Sequence, residues 1–370
     1  MLHIDGSQKS GSGTIVRYSV GLAALLGQEL RLTNIRAKRD KPGLRTQHLT
    51  SIKAVADLCN GRIEGARVGA REIVFKPGKF VSGGHFQWDI GTAGSTTMLA
   101  LTLLPAVSFT ESQFTCRISG GLFQDFAPSA FHMKYVLLPA LRKMGMQAEL
   151  EIVRPGYVPT GGGIIELSVK PAEGGLVALQ LPERGSIVKI EGIALCSHLK
   201  ERKVSDRMAD ECRRTLAATG YDASIRSIYD TTAPQSGAAL AVFAHTATGC
   251  VIGADGAGAP HRTSESIGRR VATQLIEDVS SGATVDRFLA DQLVFFAALS
   301  RGTTRYRIPR LTEHVETNLW LVETILGART RVSHDLIVEI DGVGYKKSKK
   351  ALAGQSGHNS NNRGGQARDA

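Results

Sequence analysis

The stretch Leu2-His3-Ile4-Asp5-Gly6-Ser7-Gln8-Lys9-Ser10-Gly11-Ser12-Gly13-Thr14-Ile15-Val16-Arg17 holds the first decision about the fold. It opens on a short apolar alternation, breaks on glycines and serines, and resumes with apolar residues at Ile15, Val16, Val20, Leu22, Ala23 and Leu26. Alternation fits a pleated strand, and recurrence every three to four residues fits one face of a helix. The stretch therefore predicts a strand over Leu2–Asp5, a turn, and a helix over Gly13–Leu26. Outward from it, Glu29–Ile35 alternates as a strand, and Leu49, Ile52, Val55 and Leu58 place a helix over Leu44–Cys59 that Asn60-Gly61 ends. Arg62–Phe75 reads as two strands joined near Arg67–Arg71. The unit is β-α-β-α-β-β.

The same order recurs. Phe86–Ile90, Ser95–Val107, Gln113–Ser119, Pro128–Met144, Gln147–Val153 and Gly163–Val169 read as strand, helix, strand, helix, strand, strand. A third copy is split: Val177–Leu181 supplies its first strand, and Val285–Leu299, Thr304–Ile308, Glu313–Leu326, Thr330–Ser333 and Leu336–Ile340 supply the rest. Between the halves, residues 186–280 read as a small unit of their own, with helices at Val204–Thr219 and Ser264–Ile276 among four strands. The predicted fold class is α/β (α+β). Three βαβαββ repeats form a large domain (1–185 and 281–345), and a small α/β domain is inserted in the third repeat (186–280). Residues 346–370 are low-complexity and basic, and are predicted to be a disordered tail.

The 370 residues have ordinary globular composition, 42% hydrophobic and 21% charged. The formal net charge is +11, and it is unevenly spread. Residues 1–50 carry eight basic and three acidic side chains, and residues 346–370 carry six basic and one acidic. Such an excess suits a polyanionic partner and says nothing about fold. The five cysteines form no CxxC pair, which argues against a cysteine-based zinc site or a disulfide framework. No signal peptide and no apolar run of membrane-spanning length is visible, so a cytoplasmic location without membrane contact is expected.

Four segments could hold chemistry. The glycine-rich loop before the first helix lets a backbone approach an anion at a helix N-terminus, although it is neither a Walker A loop nor a dinucleotide fingerprint. Arg36-Ala37-Lys38-Arg39-Asp40-Lys41-Pro42-Gly43-Leu44-Arg45 sets five cations before a helix that begins near Gln47 and His48, and Arg17 is placed to join them. Guanidinium forks suit phosphate oxygens. His314 falls at the start of the helix whose stripe is Val315, Leu319, Val322 and Leu326. The helix dipole there favours neutral imidazole, which can act as nucleophile or base. In Phe288-Leu289-Ala290-Asp291-Gln292-Leu293, two polar residues stand in an apolar helix. They suit a metal, a nucleotide or plain solvent.

Taken in order, these pieces resemble the RNA 3′-terminal phosphate cyclase family. The resemblance rests on Asp5-Gly6-Ser7-Gln8 leading to Arg17, on Ile35-Arg36-Ala37 through Lys41-Pro42-Gly43-Leu44 and Gln47-His48-Leu49, and on Thr92-Ala93-Gly94-Ser95. It continues through Ser119-Gly120-Gly121, Ala127-Pro128, Pro159-Thr160-Gly161-Gly162-Gly163, Glu183-Arg184-Gly185, Leu289-Ala290-Asp291-Gln292 and His314. It implies the split-repeat fold, and an activity in which ATP drives conversion of an RNA 3′-phosphate to a 2′,3′-cyclic phosphate through a covalent histidine–AMP. Under it, His314 is the nucleophile, and Arg17, Arg36 and Arg39 hold phosphates beside Gln47 and His48. Phe288, Leu289, Ala290, Asp291, Gln292 and Pro128 surround the nucleotide, and a divalent cation (Mg or Mn) offsets triphosphate charge.

The chain also departs from that pattern. Ser10 stands where a glutamate near the metal is expected, so the metal ligands are left open. Leu101 replaces a common glutamine, Phe131 a usual aspartate, and Cys250 an aromatic able to stack on adenine. These changes keep open a non-cyclising relative that binds RNA in RNA processing or ribosome assembly. An enolpyruvyl-transferase-like enzyme uses similar repeats, but the quoted motifs do not match it.

Overall fold

The computed structural model describes residues 1–78 and 81–346. The first repeat runs β1 (Leu2–Asp5), α1 (Gly13–Leu26), β2 (Leu30–Thr33), α2 (Thr46–Cys59), β3 (Arg62–Glu64) and β4 (Ile73–Lys76). Its sheet has the order β1-β2-β4-β3. β1 and β2 are parallel, and the other two neighbours pair antiparallel. The second repeat runs β5 (Gly84–Asp89), α3 (Thr96–Val107), β6 (Phe114–Gly120), α4 (Ala130–His132), a π-helical segment (Met133–Leu137), α5 (Leu138–Lys143), β7 (Gln147–Arg154) and β8 (Gly163–Lys170). Its sheet order, β5-β6-β8-β7, repeats the first in sense and direction.

The third repeat begins at β9 (Gln180–Leu181) and is then interrupted by β10 (Ile187–Ser197), α6 (Val204–Ala217), β11 (Ala223–Asp230), β12 (Gly237–Thr246), β13 (Val251–Ala257) and α7 (Ser264–Ser280). It resumes with α8 (Leu289–Leu299), β14 (Arg301–Arg307), α9 (Glu313–Leu326), β15 (Arg329–Val332) and β16 (Ile337–Val343). Its sheet, β9-β14-β16-β15, has the same order and orientations as the other two. The interrupting strands make a separate sheet, β11-β10-β12-β13.

β12 shows how the interrupting segment is held. Ala238, Leu240, Val242 and Ala244 face a core shared with α6 and α7, which includes Met208, Cys212, Val271 and Leu275. Ala239, Ala241 and Phe243 belong to the main core of the chain. Side chains alternate across a strand, so one apolar run fills two cores. In the main body α1 packs against α2, α3 and α9. All of α1 except Leu26 is buried, as expected for a helix apolar on every side. Ser12 caps its start and Gly27, at φ +65°, ends it.

The structure shortens or divides some predicted elements. The single helix expected over Pro128–Met144 is three pieces. Pro139 has no N–H for the Tyr135 carbonyl, and Leu138 N–H reaches back five residues to the Met133 carbonyl, so a π turn precedes α5. The helix expected from Val285 starts at Leu289, because the Asp286 carboxylate accepts the N–H groups of Phe288 and Leu289 at 2.9 and 2.8 Å. Of the strand expected from Val177, Val177 itself makes an isolated parallel bridge to Arg301, and Gln180–Leu181 joins the ladder. Just before it, the Leu179 N–H turns to the Thr304 hydroxyl at 3.1 Å. The basic tail beyond Lys346 lies outside the described residues. No helix among the described residues is long and apolar enough to cross a membrane.

Candidate active site

A cavity of about 520 Å³ opens where helix starts from all three repeats converge. Ser12, Gly13 and Thr14 come from the start of α1, Gln47 and His48 from α2, Met98 and Leu101 from α3, Phe288, Asp291 and Gln292 from α8, and Thr312 and His314 from α9. Each such end presents unpaired N–H groups and the positive pole of its dipole, so their convergence makes a site for anions. The identical order of the three sheets brings these ends together, because equivalent βα turns fall at equivalent sheet edges.

Cations complete the lining. Arg17, on α1, is 4% exposed. It donates to Thr14 Oγ1 at 3.4 Å and forms no salt bridge among the described residues. Burial pulls its pKa down to about 10, and Arg36 adds to that while Asp291 opposes it. A buried guanidinium without a carboxylate is costly, and a bound anion would relieve that cost. Arg36 sits at φ +53° and donates to the Lys41 and Gly43 carbonyls at 2.7 and 2.8 Å. Burial and its neighbours Arg45 and Arg39 lower its pKa. Arg39 and Arg310 are exposed at the same cavity.

Both histidines of the cavity are held neutral. His48 is buried, and its Nδ1 accepts from the Arg45 N–H at 3.3 Å. Burial, then Arg17, Arg36 and Arg45, depress its pKa to about 2. Its ring lies so close to α1 that a Cβ on Gly13 would meet Nε2 at 2.1 Å. His314 is exposed to the cavity. Packing around its inner side, then the charges of Arg39 and Arg17, lower its pKa, with Glu313 opposing. A lone pair on an accessible imidazole therefore faces a cluster of guanidinium groups.

The opposite wall suits a nucleoside. Phe288 and Pro128 line it, the latter with its carbonyl accepting from Thr97 at 2.6 Å. Gln292 is 3% exposed, yet neither its Oε1 nor its Nε2 has a partner among the described residues. A buried amide with both ends free is a place for a ligand with donor and acceptor edges. Asp291 is pushed up to about 7 by burial, then by Asp286 among the charges. Leu289 and Ala290, expected among the nucleotide-binding residues, instead sit in the core at 2% and 1% exposure and do not line the cavity. On a helix each residue turns about 100° from the last, so neighbours of Asp291 need not share its face. Cys250 is also buried away from the cavity.

The described residues do not fit a metal held by the protein. No group of three or more His, Cys, Asp and Glu side chains could hold one, and Asp291 is the only carboxylate on the lining. Ser10 is engaged elsewhere. Its hydroxyl donates to Ser12 at 3.0 Å and its N–H to Thr317 Oγ1 at 3.2 Å. It ties the glycine loop to α9, the helix that bears His314.

A second polar centre supports α8. His132 and Asp286 are fully buried, and His132 Nε2 meets both Asp286 oxygens at 3.0 and 3.1 Å. Asp286 also accepts from Gly253, Phe288 and Leu289 N–H. Burial alone would lower the His132 pKa, but the Asp286 carboxylate outweighs it and the net shift is upward. Asp286 is lowered, burial notwithstanding, chiefly by His132. His132 Nδ1 has no partner among the described residues.

Arg287, Arg310, Thr312, Tyr18 and Phe126 also line the cavity and escaped the sequence reading. Each lies within four residues of one that was singled out, at the same helix start or the same loop. That adjacency is the signal that could have found them. A larger groove of about 960 Å³ runs past His85, Arg117, Tyr135, Glu149 and Glu166. It contains none of the predicted site residues.

Comparison with known proteins agrees with this geometry. The family model described as RNA 3′-terminal phosphate cyclase matches residues 8–332. The chain is 37% identical over 339 residues to the RNA 3′-terminal phosphate cyclase of Archaeoglobus fulgidus, covering 91% of this chain and 99% of the relative. It is 38% identical to that of Pyrococcus furiosus, covering 88% and 94%. To that of Methylococcus capsulatus it is 37% identical, covering 90% and 93%. With a converging anion site on three like repeats and this likeness along nearly the whole chain, the protein belongs to the RNA 3′-terminal phosphate cyclase family.

Proposed function

We propose that this protein uses ATP to convert the 3′-terminal phosphate of RNA to a 2′,3′-cyclic phosphate, through AMP bound covalently to His314. The observation that carries the reading is the accessible, neutral imidazole of His314 set among the guanidinium groups of Arg17, Arg36 and Arg39 and the helix starts. An imidazole nitrogen of His314 attacks the α-phosphorus of ATP. The bond from that phosphorus to its bridging oxygen breaks, and pyrophosphate leaves. An oxygen of the RNA 3′-phosphate then attacks the same phosphorus and breaks the P–N bond, giving an RNA–adenylate anhydride. The neighbouring 2′-hydroxyl attacks the 3′-phosphorus, loses its proton to solvent and expels AMP as the ring closes.

Each side chain has a share in this. Arg17, Arg36 and Arg39, with Gln47 and His48, hold phosphate oxygens and stabilise charge as it moves to the leaving group. Phe288 and Pro128 flank the adenine, and Asp291 and Gln292 bond the nucleoside. Leu289 and Ala290 act only by packing α8. The site rests on a large domain of residues 1–185 and 281–345, with residues 186–280 as an inserted domain. A cytoplasmic location fits the cysteines, all five of them free and buried.

The test is incubation with α-labelled ATP, with and without RNA bearing a 3′-phosphate, for the wild type and His314→Ala. Label on the wild type, cyclic ends on its RNA, and a loss of ~10³-fold or more in the variant are expected. Equal labelling of the variant overturns the role of His314. RNA binding by an unlabelled, folded wild type would favour a non-cyclising RNA-binding relative, for which Ser10, engaged with Ser12 and Thr317, already speaks.

A further inference from the structure

Two phenylalanines of one loop have opposite surroundings. Phe123 is 1% exposed and packs on Phe131 and Tyr157. Phe126, three residues on, is fully exposed on the cavity lining, and its ring has no aromatic partner among the described residues. Its backbone is left-handed, at φ +49°. Bulky residues rarely adopt that conformation, and it persists only where the surroundings impose it.

The surroundings that impose it belong to the interrupting segment. The Asp125 carboxylate takes both Nη groups of Arg262, at 3.0 and 2.8 Å, and Nη2 of Arg270 at 3.1 Å. Arg262 is anchored in turn on the Ala257 carbonyl at 2.6 Å. On the other side of Phe126, the Ser129 N–H donates to Asp255 at 3.0 Å. The loop is thus clamped before and after an apolar ring left bare to solvent. A flat, bare, preorganised aromatic surface beside cations is the arrangement by which proteins take unstacked bases of single-stranded nucleic acid.

We infer that Phe126 is the platform on which the base of the RNA 3′-terminal nucleotide stacks. The inference deepens the proposed function and rests on it for the identity of the partner. Adenine has its own wall at Phe288, Pro128 and the buried Gln292. Phe126 is fully exposed, as are Arg39 and Arg310 on the same lining, so these three meet a chain arriving from solvent. Stacking does not read base identity, so the site accepts any terminal base and favours purines for their larger face.

The test compares binding of two 3′-phosphorylated oligoribonucleotides, one with a terminal adenine base and one with an abasic terminal ribose, by fluorescence anisotropy on the full chain. Wild type should prefer the base-bearing RNA about tenfold. Phe126→Ala should bring the ratio close to one, and Phe126→Trp should restore it. A ratio unchanged by Phe126→Ala overturns the inference. So does a loss of labelling by ATP alone in that variant, which would assign the ring to adenine. Failure of the wild type to label would strike the cyclase reading instead and leave the binding ratio readable. Since Phe126 is fully exposed, loss of fold does not confound the variant.

Discussion

Two buried polar centres share α8, and they are built on opposite rules. His132 and Asp286, at its start, find each other, and the oxygens of Asp286 are further taken by three backbone N–H groups. One turn on, Gln292 offers an amide with both ends free among the described residues, and across the cavity Arg17 offers a buried guanidinium that forms no salt bridge among them. The first centre pairs its charges internally, with His132 Nδ1 its one atom lacking a partner among the described residues, and it fixes where α8 begins. The second is left unsatisfied by the protein, which is sensible only where a ligand supplies the missing charge and hydrogen bonds. Burial alone therefore does not separate structure from function here; pairing does.

The comparison breaks most visibly if one member of the closed pair is removed. His132→Ala strands the Asp286 carboxylate and loosens the start of α8. A loss of about 3–5 kcal/mol in unfolding free energy is expected, read by denaturant titration. The sign with pH follows from the shifts. His132 is raised, so its contribution is full below its ordinary value and fades as pH rises through the folded pKa. The gap between wild type and variant should narrow on the alkaline side, and a gap that widens there would mean the pair is held neutral.

Arg17→Met should do the reverse. Without the guanidinium, labelling by ATP should fall by about 10²-fold or more, as when one charge-stabilising donor is lost from a reacting centre. Unfolding free energy should hold or rise by about 1 kcal/mol, because an unpaired buried charge has gone. A loss of stability as large as that of His132→Ala would mean Arg17 is structural, and the contrast between the centres would fail.

Gly13→Ala sharpens the open centre from its side. The new Cβ would stand 2.1 Å from His48 Nε2, so the imidazole must move. Roughly tenfold slower labelling is expected, comparable to misplacing one lining group. In a His48→Ala background the same substitution should cost little more, since the clash has lost its partner. Additive losses would show that Gly13 matters for the loop itself.

The closed centre was invisible in the sequence and the open one was largely visible, for a physical reason. Recurrent helix starts, glycines and cations mark Arg17, Arg36, Arg39, Gln47, His48 and His314 locally, within segments of a dozen residues. The three repeats were legible because period-two and helical patterns recur in one order. His132 and Asp286 are 154 residues apart, and only the third dimension joins them. The π turn before α5 was missed because helical spacing continues through it. Leu289 and Ala290 were drawn into the site with Asp291 and Gln292 because a motif is read linearly, whereas a helix rotates its neighbours away. Phe126 was passed over because an exposed phenylalanine looks, in one dimension, like any core residue.

The smallest effect tests the electrostatics that link the cavity's cations to its histidine. An ordinary imidazole titrates near pH 6.5 and would lose about half of its lone-pair form there. His314 is held lower, by packing and then by Arg39 and Arg17. Single-turnover labelling at saturating ATP should therefore change by less than about twofold between pH 7.5 and 6.5. Arg39→Gln removes one of the charges that disfavour imidazolium, so the acid limb should move to higher pH. Phosphate groups of ATP titrate nearby, and the movement of the limb in this variant is what isolates the histidine from them. An acid limb that stays put would mean Arg39 acts on the phosphates alone. One that moves shows the same guanidinium serving both, drawing in the anion and keeping its attacker unprotonated.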